Sequence, residues 1–178
     1  PYFFAINQDK NFTLTNKLYA SENPLFTGEY HQVFKDSYLM VDLGYTEGYK
    51  KNNGQKKSGK RSHFFSNFVK EFEDINGSKS SFSLSVQDTS NDKYLKLYRV
   101  KSNLVDYEKD NLESTLNFTH ENEDLFLGFN AAVYETLKDS YNDKYEYIIP
   151  ELTIDKNLFS NNEFGNLDLQ TNFKVHNY

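Results

Sequence analysis

The chain has 178 residues, a net charge of -6 and no cysteine, which excludes disulfides, thiol redox chemistry and thiolate metal sites within it. Its acidic balance, with an isoelectric point near 5.2, argues against nucleic acid as a partner. Aromatic residues make up 17% of it, all Tyr and Phe, and no run approaches the ~18 consecutive apolar residues of a membrane helix.

Read from the start, the chain repeats a two-residue alternation broken by turn-type residues, the signature of strands with one apolar and one polar face. Tyr2–Ile6 and Asn11–Tyr19 open the series, followed by Leu25–Phe34. In Tyr38–Tyr45, Leu39, Val41 and Leu43 alternate with Asp42. Ser62–Phe72 fits either a helix (Phe65, Phe68, Val69, Phe72) or a strand face (Phe64, Phe68, Phe72), and its β context favours the strand. Ser80–Gln87 alternates without a break, and a short helix is expected within Ser90–Tyr98, capped by Ser90 or Asn91. Leu112–His120, Asp124–Leu137, Tyr145–Asp155 and Gly165–Tyr178 complete about ten strands.

The connections carry a second signal. Asn7–Lys10, Lys35–Ser37, Ile75–Lys79 and Glu121–Glu123 are short. Between them come the longer Ala20–Pro24, Thr46–Arg61, Asp88–Asn111 and Lys138–Lys144. Such alternation suits a barrel with tight turns on one rim and long loops on the other. The last connection, Lys156–Phe164, reads as too long for its side.

The fold expected is therefore all-β: an antiparallel up-and-down transmembrane β-barrel fragment of about ten meandering strands. A mean hydropathy of -0.79 does not oppose this, because lumenal polar residues dilute the lipid-facing ones in every strand. Outward residues are Leu39, Val41, Leu43, Phe82, Leu84, Val86, Leu116, Phe118, Leu125, Leu127 and Phe129. Lumen-facing candidates are Asp42, Ser83, Ser85, Thr115, Asn117, Asn130, Glu151, Asp168, Gln170 and Lys174. Pro1–Phe4 resembles mid-strand sequence and Phe173–Tyr178 stops without a turn, so residues 1–178 are expected to be one partial domain, cut at both ends.

No motif signals catalysis, and no cofactor is expected. Gly54–Lys60 matches most of a phosphate-binding loop, but Arg61 stands where the motif needs Ser or Thr. The basic run Lys50, Lys51, Lys56, Lys57, Lys60 and Arg61 suits a solvated loop or contact with anionic lipid headgroups. His31, His63, His120 and His176 lack ligand spacing. No serine sits in a nucleophile elbow.

The run Pro1-Tyr2-Phe3-Phe4-Ala5-Ile6-Asn7, then Phe12-Thr13-Leu14-Thr15 and Gly28-Glu29-Tyr30, resembles the start of the barrel in the lipopolysaccharide-assembly outer-membrane family (the LptD, or organic-solvent-tolerance, family). Leu39–Leu43, Asp88–Leu95 and Ile149-Pro150-Glu151-Leu152 resemble later family segments, in order. The resemblance implies an early barrel portion in the outer membrane that passes lipopolysaccharide sideways through a seam beside the first strands. It also implies outer-membrane lipid around the barrel, a plug lipoprotein of the LptE type and a periplasmic bridge protein of the LptA type. Pro1 matches the first seam proline; the second falls at Asn16, a departure from the family pattern. Two alternatives stay open: a porin-like channel barrel, and a soluble β-sandwich that binds carbohydrate through Tyr and Phe.

Overall fold

The computed structural model describes residues 1–20, 22–48, 59–73, 77–138, 144–161 and 165–177. Ten strands form one sheet in sequence order, each antiparallel to its neighbours. They are β1 (Tyr2–Asn7), β2 (Lys10–Lys17), β3 (Leu25–Val33), β4 (Ser37–Glu47), β5 (Lys60–Glu73), β6 (Lys79–Thr89), β7 (Asn111–Glu121), β8 (Leu125–Thr136), β9 (Tyr145–Asn161) and β10 (Gly165–Asn177). The ambiguous Phe-rich segment is strand β5. The sheet is not closed: β1 and β10 each pair on one side only.

Strict order places successive connections at opposite ends of the sheet. The turns β1–β2, β3–β4, β5–β6 and β7–β8 share one rim, and the four longer connections share the other. The long final connection expected at Lys156–Phe164 does not exist. β9 continues to Asn161, so only 162–164 separate it from β10. The extension holds because Asn157 to Asn161 pair with β10 around a bulge, where Asp168 faces Asn157 and Leu167 faces Phe159. A second irregularity lies where Asn130 faces Glu151 and Ala132 faces Ile148. It falls next to Pro150, which has no N–H to give the ladder.

Register sorts the side chains cleanly. The pairs Leu43↔Phe64, Phe68↔Leu84, Leu84↔Leu116, Phe118↔Phe129 and Leu127↔Ile154 run across one face. All eleven residues expected to face outward fall on it by register. No second sheet covers this face among the described residues, and Leu43, Phe64, Leu84, Phe118, Leu152 and Phe173 are all exposed on it.

Among the described residues, the well-packed core lies elsewhere. Segment 90–110, between β6 and β7, folds back over the long-connection end of the sheet's other face. It carries helix α1 (Tyr94–Tyr98), within the span expected to be helical. Lys93, not Ser90 or Asn91, is its cap residue. Asn91 instead accepts the Lys93 N–H on its side chain at 3.2 Å, closing the turn that leads in. Tyr94, Leu95, Tyr98, Val100 and Val105 of this strap cluster with Leu25, Phe65, Leu112 and Leu137.

Candidate functional site

Every lumen-facing candidate lies on the face opposite the apolar one. Ser83, Asn117, Asn130, Glu151 and Lys174 form one row across β6 to β10, each directly opposite the next. Ser85 and Thr115 pair in an adjacent row, and Asp168 and Gln170 alternate with Lys174 along β10. Side chains link along the row. Asn117 Nδ2 donates to Ser83 Oγ at 3.3 Å, Asn130 Nδ2 donates to Glu151 Oε2 at 3.0 Å, and Lys174 Nζ stands 3.7 Å from Glu151 Oε1. Asn157 Nδ2 donates to Asp168 Oδ1 at 2.7 Å. Such cross-strand polar pairs stabilise a sheet face that water can reach.

Asp42 departs from that picture. It lies on the polar face but is only 2% exposed, beneath the strap. His63, one strand over, has Nε2 at 2.7 Å from Asp42 Oδ1 and Nδ1 at 3.2 Å from the Tyr94 hydroxyl. A carboxylate only accepts, so Nε2 carries a proton, and in the neutral imidazole Nδ1 accepts the Tyr94 O–H. Burial, with the Asp42 charge adding to it, pushes the Tyr94 hydroxyl well above the usual tyrosine range, so it remains a donor. His63 and Tyr94 are 3% and 0% exposed. The chain has the order of a catalytic relay, but its terminal hydroxyl is sealed from any substrate.

Gly44 makes room for it. A Cβ there would sit 2.2 Å from the His63 ring and 2.7 Å from the Tyr94 hydroxyl. Sequence reasoning missed this cluster because its members are 21 and 31 residues apart. The available signal was a His directly opposite a Gly on neighbouring strands, legible only once the register is known.

The strap has further ties. Ser62 N–H donates to Ser90 Oγ at 2.8 Å, Lys17 Nζ to the Arg99 carbonyl at 3.3 Å, and Lys144 Nζ to Asp92 Oδ1 at 3.0 Å. Asp110, where the strap meets β7, is bonded by Lys96 and by Lys138. Those hydrogen bonds, Lys96's first, hold its carboxyl below the usual carboxylate range.

The two seam candidates lie at one end of the β1–β2 hairpin. Tyr2 pairs with Leu14, so Pro1 precedes the ladder and Asn16 lies past it on β2. Asn16 pairs with Phe26 of β3 and stands exposed on the apolar side. Of the headgroup candidates, Lys50, Lys51, Lys56 and Lys57 lie outside the described residues, as does most of the Gly54–Lys60 motif. Lys60 opens β5 opposite Glu47 on the apolar-face side, and Arg61 lies opposite Thr46 on the polar side.

Among the described residues, no group of three or more His, Asp or Glu is arranged to hold a metal ion. No described helix is long and apolar enough to cross a membrane, which says nothing of strands. No family profile, curated protein or solved structure matches the chain.

Proposed function

We propose that this sheet is a wall segment of an outer-membrane β-barrel, its apolar face against lipid and its polar face toward water. On the resemblance of its first strands, we further propose that the barrel inserts lipopolysaccharide into the outer leaflet, with a plug lipoprotein and a periplasmic bridge protein as partners. The observation that carries the first step is the open apolar face. A soluble protein rarely leaves contiguous apolar patches beyond a few hundred Å² uncovered, and ten strands present such a surface here.

The arrangement on that face supports the same reading. On β4 it runs Leu39, Val41, Leu43 and Tyr45, and its charges lie at strand ends. Glu47 and Lys60 mark the long-connection end, Lys10 and Lys70 the short-turn end, and Lys156 stands level with the β7–β8 turn. Exposed Tyr2, Tyr45, Tyr145 and Tyr147 gather toward the long-connection rim, as an aromatic girdle would. Strands β4 to β10 each reach or exceed the ~9–11 residues that cross hydrocarbon at a tilt. An open edge is not tolerated in lipid, so in a membrane β1 and β10 must be paired, with one another or with further strands.

Arginine scanning by face tests the barrel. Leu84→Arg and Leu127→Arg place a cation on the lipid side, costing roughly 2–4 kcal/mol near the midplane, and abolish heat-modifiable folded protein in the outer membrane. Ser85→Arg and Asn130→Arg, on the wet side, leave it nearly unchanged. Equal loss from both faces would sink the barrel.

A further inference from the structure

We propose that the strap 90–110 is a built-in plug: the Asp42–His63–Tyr94 chain latches it over the long-connection end of the polar face and narrows the water side of the wall there. The plug rests on the barrel reading; the latch does not.

The latch is a closed hydrogen-bond chain with no spare donor. Tyr94 O–H fills His63 Nδ1, and the Nε2–H fills an Asp42 oxygen at 2.7 Å. All three side chains are buried. Removing one link therefore leaves a desolvated polar atom unpaired, which costs more than the bond is worth on balance. On the strap side, Tyr94 also packs at a tilt against the His63 ring, with centroids 5.6 Å apart, and Tyr98 packs edge-on against Tyr19 at 5.7 Å. On the sheet side, Leu25 and Phe65 interrupt the polar pattern and are buried in the strap's cluster. The wall thus carries apolar anchors and a polar keyhole for a segment that would otherwise be an ordinary long loop. Its outer ties are different in kind: Lys144, Asp110 and Lys96 make half-exposed ion pairs, which contribute little by themselves.

Gly44 offers a way to break the latch without touching its members. The Gly44 backbone is outside the left-handed region, so alanine fits the strand, but its Cβ would overlap the His63 ring. The chain contributes no cysteine, so Val105→Cys in the full-length protein gives a thiol reporter in the buried face of the strap. Labelling by a water-soluble maleimide is slow in the reporter alone. It becomes about tenfold faster or more with Gly44→Ala, and rises in the same direction with Tyr94→Phe, as expected for a buried bond lost. In planar bilayers the same variants show larger single-channel conductance than the parent.

Unchanged labelling in both variants would overturn the latch. Faster labelling with unchanged conductance through inserted channels would overturn the plug. Failure of every variant and the parent to insert would sink the membrane reading and the plug with it, while the labelling rates still decide the latch.

Discussion

Asp110 is an acid-sensitive member of the strap's outer ties. Its carboxylate accepts from Lys96 of α1 and Lys138 beyond β8, and these bonds depress its pKa. A depressed carboxyl contributes stability that is fully present above its ordinary value and lost as pH falls through the lowered one. The window therefore lies below about pH 4. Pepsin cleavage within 90–110 should rise as pH drops through that window, and Asp110→Asn should flatten the rise because its tie is already gone. Identical acid profiles would remove Asp110 from the strap's anchoring. Asp110 and Gly44 were not legible in the sequence, for one reason: their roles depend on partners brought close by strand pairing, not by spacing along the chain.

Strands were far more legible than the residues between them. Period-two alternation located all ten, because a half-buried strand writes its two faces directly into the chain. Two features escaped, the far end of β9 and the packing of the strap. β9 runs past Asp155 through Lys156 to Asn161, and there Lys156, Asn157 and Asn161 read as turn chemistry. Pairing with β10 overrides that local preference. The strap escaped because Tyr94, Leu95, Tyr98, Val100 and Val105 follow no strand period, and a five-residue helix is too short to announce which surface it covers. The polar candidates share one face of the sheet, but Asp42's burial was not legible, since alternation gives the side of a residue and not what lies over it.

The β1–β2 hairpin is where element length bears on function. β1 has six residues and β2 eight, so the ladder is short and ends at Tyr2↔Leu14, with Pro1 and Asn16 just beyond. Pro1→Ala supplies a missing N–H and lets the ladder grow by one bond, worth roughly 0.5–1.5 kcal/mol. If lipopolysaccharide leaves beside these strands, this change slows its appearance at the surface of cells carrying the full-length variant, while Asn16→Pro is tolerated or speeds it. Normal export in Pro1→Ala together with failure in Asn16→Pro would place the seam elsewhere.

At the scale of the whole molecule, the sheet has two environments and one exception. The apolar face is continuous from β1 to β10, and the exposed aromatics and aliphatics at regularly paired positions lie on it, apart from Phe3 on edge strand β1 and the Val33–Tyr38 pair at the short-turn rim. The polar face is knit by hydrogen bonds and ion pairs except where the strap packs on it. A β-sandwich would need a second apolar layer against the first face, and the described residues supply none. A porin-like channel would share the wall proposed above, so the face pattern does not separate one cargo from another.

The absence of cysteine opens the most direct measurement of which solvent each face meets. Single cysteines at Leu84 and Leu127, and at Ser83 and Asn130, would carry a bimane fluorophore in the full-length protein reconstituted in phospholipid vesicles. Wall geometry predicts that nitroxide-labelled acyl chains quench the probes at 84 and 127 while aqueous iodide quenches those at 83 and 130. Iodide quenching of all four sites, with none from the lipid nitroxide, would mean that the apolar face is covered by protein or water rather than lipid, and the wall reading would fall.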